Sequence, residues 1–279
     1  MFNRKYSDFH FKNGSLKIGM KTYIAGIINV NPDSFSDGGM FEDVDSAMLR
    51  AKEMIEAGID IIDIGGESTR PGYKSVDSEI EVSRVIPVIR RLRSEFNTII
   101  SVDTQKAEVA KLAMDAGANI INDIWGLQGD PGMAEVVAET DAGVIIMHNS
   151  DKGIYGDIIE EILEFFRKSI KIALAAGVSE AKIIIDPGIG FAKTYDDNIE
   201  ILSNLSDLNV LGMPILLGTS RKSFIGSILD KPAHERIEGS LATGVLGIAA
   251  GVDVLRVHDY EETKRASKIS DVIVRREHG

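Results

Sequence analysis

Polar or ionisable side chains close a series of apolar runs along this chain of 279 residues. In order, they are Asn29, Glu67, Asp103, Asn122 with Asp123, His148 with Asn149, Asp186, Ser220 and His258. Each one alone is best explained as an ordinary helix N-cap. If these carboxylates and amides converge on one place, they predict a site that recognises a small polar ligand by hydrogen bonds.

Cations stand beside hydroxyl groups in two of the loops that follow these runs, at 67–73 and 218–223. Arg256 and His258 lie two residues apart in a strand-like run, so their side chains point to the same side. The net charge is −12, and most cations on such a surface are merely solvated. A local cluster of Lys222, Arg256 and His258 nevertheless predicts an anion site.

Eight apolar, strand-like runs must position these groups. They cover 23–30, 61–65, 98–103, 120–123, 144–148, 183–186, 214–219 and 254–258, and amphipathic stretches such as 44–57, 78–96, 158–176 and 238–250 lie between them. Strands that alternate with helices predict a parallel sheet covered on both faces. Eight such units predict an α/β fold with a single (β/α)₈ TIM barrel, whose active site lies at the carboxyl ends of the strands. A doubly wound open sheet is the alternative.

Glycines separate several of the helical stretches from the strand-like runs that follow them. Five runs follow a glycine that ends a helical stretch, and these are Gly58, Gly117, Gly143, Gly177 and Gly251. Glycine is preferred just beyond a helix because it adopts positive φ without strain. The sequence therefore predicts a helix end at each of the five.

The first 22 residues precede the barrel and contain apolar and polar residues in alternation around Asn13-Gly14. This pattern predicts a β-hairpin on a type I′ turn. In a barrel, such a hairpin most simply covers the N-terminal end of the strands. We find no linker or low-complexity tract, so we expect residues 1–279 to form one domain.

Composition excludes several classes of protein. The chain has no cysteine, which excludes disulfides and thiolate chemistry and fits a reducing cytoplasm. Its negative net charge argues against a nucleic-acid partner. No apolar run approaches the ~20 residues of a spanning helix, and the start has no secretory pattern. The glycine-rich segment 188–193 breaks the dinucleotide-binding fingerprint at its third glycine, and no phosphate-binding Walker loop, zinc-protease motif or serine triad can be placed.

The motifs resemble those of the dihydropteroate synthase family, from about Tyr23 to Val274. The segments that carry the resemblance are 26–39, 63–72, 101–104, 121–123, 186–191, 220–223 and 256–259. The resemblance implies a barrel that joins (7,8-dihydropterin-6-yl)methyl diphosphate to 4-aminobenzoate, releasing diphosphate. It also implies Mg²⁺ as cofactor and a cytoplasmic homodimer, with helix 241–250 as one possible interface.

The same resemblance implies roles for individual residues. Asp103, Asn122, Asp186 and Lys222 would bind the pterin, and the two aspartates with Lys222 would be catalytic. Thr69, Arg256 and His258 would bind the diphosphate, with Asn29 holding Mg²⁺. Phe35, Arg70, Pro71 and Ser223 would border the aminobenzoate.

The chain departs from the family pattern at several positions. Asn31 stands where threonine is usual, Ala192 where glycine is usual, and Asp197-Asn198 where His-Asn is usual. After the fifth predicted strand, Met147-His148-Asn149-Ser150 replaces Met-His-Met-Arg. These changes leave the expected reaction in place but put the detailed contacts near the fifth and sixth strands in doubt.

Two other functions are alternatives. Pterin-binding domains of corrinoid methyltransferases share the barrel and the Asp/Asn contacts, and they pass a methyl group to a corrinoid protein. They do not need the segments 32–39, 69–72 and 220–223, all of which are present here. A catalytically silent binding protein is the other alternative. A requirement for both substrates in diphosphate release would distinguish the synthase from either.

Overall fold

Parallel strands curl into a nearly closed barrel in a computed structural model that describes residues 7–30, 40–67, 76–151 and 155–275. The eight barrel strands among these residues are β3 (Tyr23–Asn29), β4 (Ile61–Gly65), β5 (Ile99–Asp103), β6 (Ile120–Asp123), β7 (Gly143–Met147), β8 (Ile183–Asp186), β9 (Leu216–Leu217) and β10 (Val254–Val257). Each strand from β3 to β7 pairs in parallel with the next, and β10 lies between β3 and β9.

The two edges of this sheet meet and close the barrel. Ile185 of β8 forms a parallel bridge with Ile215, just before β9, and the Ile185 N–H donates to the Pro214 carbonyl at 2.9 Å. The barrel prediction is therefore confirmed, and the open-sheet alternative is wrong. The strand predicted over 214–219 is shorter than expected, in part because Pro214 has no N–H for a ladder.

Helices cover the outside of the barrel between the strands. In the described residues they are α1 (Met40–Glu56), α2 (Ser78–Glu95), α3 (Ala107–Ala116), α4 (Met133–Glu139), α5 (Ile158–Ala175), α6 (Tyr195–Ser203), α7 (Ser223–Leu229), α8 (Ile237–Ala250) and α9 (Tyr260–Val274). Short 3₁₀ turns occur at Glu180–Lys182, Leu205–Leu211 and Ala233–Glu235. None of the helices described here is long and apolar enough to cross a membrane.

Four of the five predicted helix-ending glycines have the expected backbone. Gly58, Gly117, Gly177 and Gly251 have φ between 73° and 118°. The fifth prediction is wrong, because Asp141 takes the left-handed conformation with φ 59° and Gly143 begins β7.

The N-terminal hairpin consists of β1 (Ser7–Phe11) and β2 (Gly14–Ile18), paired antiparallel. Its two-residue turn is Lys12-Asn13, since Phe11 pairs with Gly14. Only Asn13 has positive φ there, so the predicted type I′ turn at Asn13-Gly14 is wrong, because that turn needs positive φ at both central residues.

The hairpin covers the N-terminal end of the barrel, as predicted. Its buried side chains form one apolar cluster with inward-facing residues from the starts of the strands, and the members are Phe9, Phe11, Leu16, Ile18, Tyr23, Ala25, Ile61, Ile120, Ile145, Ile184, Leu216 and Val254. A Cβ on Gly143 would lie 2.7 Å from the Phe9 ring. Gly143 is therefore required for close packing under the hairpin, not for a helix end.

A second and larger apolar layer separates the strands from the helices, built from outward-facing residues such as Ile62, Ile64 and Ile121. Since both faces of the strands are buried, polar side chains inside the barrel must have partners or a ligand.

Candidate functional site

The alternation of side chains along each strand decides which residues reach the barrel interior. Inward positions at the N-terminal end are apolar, as Ile61 and Ile120 illustrate. Two residues further along the same strands, Asp63 and Asn122 occupy the next inward positions. Polar side chains surround a cavity of about 390 Å³ at this end of the barrel. Its lining includes Asn29, Asp103, Asn122, Asp186, Ser220, Lys222, Ser223, Arg256 and His258.

Some predicted strand-end residues do not line this cavity. Glu67 pairs with Lys106. The Asp123 carboxylate accepts hydrogen bonds from the Trp125 and Leu127 amides at 2.9 and 2.7 Å and so stabilises the turn that follows β6. His148 packs edge-on against Phe165, with 4.9 Å between ring centroids. The expectation that all the strand ends share one site is therefore wrong for these residues.

Their positions explain the difference. Asp123 and His148 each follow an inward-facing residue by one position, so their side chains point away from the barrel axis. The polar residue nearest a strand end is therefore a cavity residue only where its side chain also faces inward.

An ion-pair network lies at the bottom of the cavity. Arg256 donates from Nε to Asp63 Oδ2 and from Nη2 to Asp103 Oδ2, both at 2.6 Å. The two carboxylates are almost fully buried, with side chains 2% and 6% exposed. Asp63 was not among the predicted site residues, although its place two residues before the end of β4 could have indicated an inward position.

The pKa of Asp103 reflects these surroundings. Burial is the largest effect and raises the pKa, while Arg256 opposes it and the negative charge of Asp63 adds to it. The result is a pKa of about 7. Burial thus opposes the charge on Asp103, and the bond to Arg256 favours it.

Hydrogen-bond acceptors without donors stand above this network. Asp103 Oδ1 and Asn122 Oδ1 are buried, and neither has a partner among the described residues. Across the cavity, Asp186 Oδ1 accepts from the Gly188 N–H at 2.8 Å, and burial raises the pKa of Asp186. Unpaired buried acceptors cost stability, so these oxygens favour a ligand that brings N–H donors.

Lys222 places its ammonium group over the ring of Phe191, with 4.3 Å between Nζ and the ring centroid. Burial and the nearby charge of Arg256 lower the pKa of Lys222 to about 8. The absence of a side chain at Gly190 lets the Lys222 stem pack closely against the backbone, since a Cβ there would lie 3.1 Å from Lys222 Cδ. Phe191 is a second cavity residue that sequence reasoning did not assign.

His258 is neutral at physiological pH. Burial is the largest cause, and Arg256 and Arg221 add to it, lowering the pKa to about 3. Ser220 Oγ accepts from the His258 backbone N–H at 3.2 Å and lies 3.1 Å from Nδ1. A neutral imidazole that accepts from this hydroxyl at Nδ1 carries its proton on Nε2, where it can donate to a ligand.

Asn29 is half-buried at the end of β3, on the cavity wall. A Cβ on the neighbouring Gly65 would lie 3.6 Å from both Asn29 Oδ1 and Asp103 Cβ, so the absence of a side chain keeps the space between them open. The described residues contain no group of three His, Cys, Asp or Glu side chains that could hold a metal. A Mg²⁺ ion fits only if phosphate and water supply most of its ligands, as that ion usually accepts.

The remaining predicted residues are less well defined by the structure. Ser223 is exposed and begins α7 at the cavity rim. Phe35, Thr69, Arg70 and Pro71 lie outside the described residues, so their assignments stay predictions.

The family model described as pterin binding enzyme matches residues 25–258. A dihydropteroate synthase of Clostridium beijerinckii is 54% identical, covering 93% of this chain and 97% of the relative. One of Bacillus subtilis is 52% identical, covering 95% of this chain and 93% of the relative.

Solved structures agree with these relatives. A Clostridium difficile dihydropteroate synthase crystallised with pteroic acid has a TM-score of 0.92 at 52% identity, covering 94% of this chain and all of that one. A Xanthomonas albilineans enzyme with 4-aminobenzoic acid also has a TM-score of 0.92, at 38% identity, covering 96% and 98% of the two chains.

Proposed function

This chain belongs to the pterin binding enzyme family, and from that premise we propose how its own residues carry out the dihydropteroate synthase reaction. The chain is an enzyme that condenses (7,8-dihydropterin-6-yl)methyl diphosphate with 4-aminobenzoate to give 7,8-dihydropteroate and diphosphate. The assignment of residues to each part of this reaction is our proposal.

The pterin ring binds at the bottom of the cavity. One observation carries this assignment: the buried oxygens Asp103 Oδ1 and Asn122 Oδ1 have no donor among the described residues, and a pterin edge offers ring N–H and NH₂ groups. Asp186 accepts from the opposite side, and the ammonium of Lys222 lies beside the ring. The ligand thus supplies the hydrogen bonds that the described part of the protein leaves unmade.

The diphosphate binds where donors face the cavity. Arg256 brings positive charge, and neutral His258 donates from Nε2, with Thr69 as a further hydroxyl donor. Asn29 Oδ1 would hold a Mg²⁺ ion, which would neutralise charge on the leaving diphosphate. The aminobenzoate ring is bordered by Phe35, Arg70, Pro71 and Ser223.

Reaction begins with the bond between the pterin methylene carbon and the diphosphate oxygen. That bond breaks, and its electron pair leaves with diphosphate. The negative charges of Asp103 and Asp186 stabilise the positive charge that develops on the pterin-methyl group. The aryl amine lone pair then forms the C–N bond, and the nitrogen releases a proton. Because the amine is neutral, no strong base is needed.

Diphosphate release tests this assignment. The purified protein should release diphosphate only when both substrates are present, whereas a methyl-transferring protein would release none. Asp186→Asn should reduce kcat/KM for the pterin substrate by about 10- to 150-fold, since a charged hydrogen bond is worth ~1.5–3 kcal/mol. The matched control is Asp207→Asn, because Asp207 is exposed and should have no effect. Near-parental kinetics in Asp186→Asn would remove Asp186 from the site.

We also propose that the protein acts as a cytoplasmic, single-domain homodimer. Exposed apolar side chains on α8 and α9 support self-association, for example Leu246 at 68% and Val272 at 68% exposed. Sedimentation of the parent and of Leu246→Glu measures this. A dimeric parent and a monomeric variant would agree with an interface at α8, and a monomeric parent would contradict the homodimer.

A further inference from the structure

The segment after β8 contains a buried lysine that has no part in the reaction as assigned above. Lys193 Nζ lies 2.9 Å from His148 Nδ1 and donates to the Phe191 and His148 carbonyls at 3.1 and 3.3 Å. An ammonium group has three N–H donors, so these three acceptors use all of them. Two of the acceptors belong to His148, just beyond β7, and the third belongs to the segment itself.

This arrangement links two neighbouring parts of the barrel rim. The segment 187–193 is folded so tightly onto β7 that a Cβ on Gly188 would lie 2.1 Å from the His148 carbonyl oxygen. Ala192, next to the lysine, is held at φ 46°, a conformation that is strained for a residue with a side chain. The Lys193 hydrogen bonds hold Ala192 in this conformation, which the local backbone preference of an alanine disfavours.

The other side of the same segment contacts the pterin-binding groups. The Gly188 N–H donates to Asp186 Oδ1 at 2.8 Å. Gly190 packs against the Lys222 stem, and the Phe191 ring lies under the Lys222 ammonium. Any movement of the segment would therefore move one partner of Asp186 and two partners of Lys222.

We propose that Lys193, held by His148, is a positioning residue for pterin binding, and that it acts through the segment 187–191 on Asp186 and Lys222. This inference rests on the proposed function, since it assumes that those two residues bind the pterin. Neither Lys193 nor His148 lines the cavity, so the effect is indirect.

Electrostatics gives this role a second consequence. The charged and titratable groups that act on Asp186 are Lys222, Arg256 and Lys193, and each of the three favours the ionised carboxylate. The His148 ring is neutral, because burial and the adjacent Lys193 lower its pKa to about 3. Burial lowers the pKa of Lys193 itself to about 7, so its positive charge acts on Asp186 mainly below that pH. Removing Lys193 should therefore shift the protonation of Asp186 to higher pH on the acid side of pH 7.

The test uses Lys193→Met, with Lys111→Met as the matched control, since Lys111 is an exposed lysine paired with Glu139. We expect the KM for the pterin diphosphate to rise roughly tenfold or more, because small displacements of positioned groups cost affinity of that order. The KM for aminobenzoate should stay within about twofold. A proportional change in both KM values, or none in either, would overturn the proposal.

Calorimetric titration of pteroic acid from pH 5 to pH 8 provides a readout that a purely structural role would not change. In Lys193→Met the acid-side loss of affinity should move to higher pH, and a parental midpoint would contradict the proposal. If Lys193→Met does not fold, His148→Leu and His148→Asn replace it, since only asparagine keeps an acceptor near the Nδ1 position. Weak pterin binding should then appear in the leucine variant alone, and equal binding by both would overturn the idea.

Asp186→Asn in the same series separates the two proposals. If it weakens pteroic acid binding while Lys193→Met does not, only the positioning role fails. If neither variant affects binding, the proposed pterin site itself is wrong.

Discussion

Replacing Arg256 with methionine should destabilise the fold strongly, and more so at pH 7.5 than at pH 5. The guanidinium is the partner of two buried carboxylates, each at 2.6 Å. Those side chains are only 2% and 6% exposed, so water cannot replace the arginine. Leaving buried charge without its partner costs roughly 3–5 kcal/mol.

The pH dependence follows from Asp103. Its pKa is raised in the folded state, mainly by burial, to about 7, against about 4 in an unfolded chain. A raised carboxyl pKa contributes stability that is complete below the unfolded value and is lost as pH rises through the folded value. Without Arg256 the folded pKa should rise further, so acid should stabilise the variant relative to the parent.

Urea denaturation at the two pH values measures this difference. The control is Arg91→Met, because Arg91 bonds Glu95 on the surface with both side chains more than 40% exposed, and such pairs contribute about 0.2–1 kcal/mol. An Arg256→Met loss as small as that of the control would refute the reasoning. So would a loss that does not shrink between pH 7.5 and pH 5.

Three further results are expected. Asn29→Ala should raise the Mg²⁺ concentration needed for half-maximal rate more than it raises the KM for aminobenzoate; an unchanged Mg²⁺ profile would place the ligand elsewhere. His258→Gln should leave the shape of the pH–rate profile between pH 5 and 8 unchanged, because burial keeps the ring neutral with a pKa of about 3; a lost inflection near pH 6.5 would contradict this. Gly143→Ala should lower the free energy of unfolding by about 1–3 kcal/mol through overpacking, since its Cβ would meet Phe9 and Phe11 at 2.7 and 2.9 Å; a variant as stable as the parent in urea would show that the hairpin can yield.

The barrel could be predicted from sequence because its determinants are local and repeated. Each strand is an apolar run, and four of the predicted glycines have the left-handed backbone that punctuates the pattern. Gly143 could not be assigned correctly, because its requirement comes from Phe9 and Phe11, more than 130 residues earlier in the chain. The turn at Lys12-Asn13 was misplaced for a different reason: Asn-Gly is a strong hairpin pattern, but strand register decided which pair forms the turn.

Site residues could be predicted where a polar residue both ends a strand and points its side chain into the barrel, as Asp103, Asn122 and Asp186 do. Asp123 and His148 satisfy the first condition but not the second. Asp63 shows the opposite case, since it faces inward below the strand end and its importance lies in its bond to Arg256, 193 residues away. This pairing arises because β10 lies beside β3, which lies beside β4, and that strand order cannot be read from spacing along the chain.

The hairpin covers the N-terminal end of the barrel, where Phe9 and Phe11 pack against the starts of the strands. In the described residues the cavity lies at the opposite end, so on the proposed assignment substrates and products pass the rim where Lys222 and His258 lie. On the proposed assignment the pterin binds deepest, so aminobenzoate must bind after it. Turnover would then require that dihydropteroate and diphosphate leave the cavity before another pterin binds beside Asp103 and Asn122.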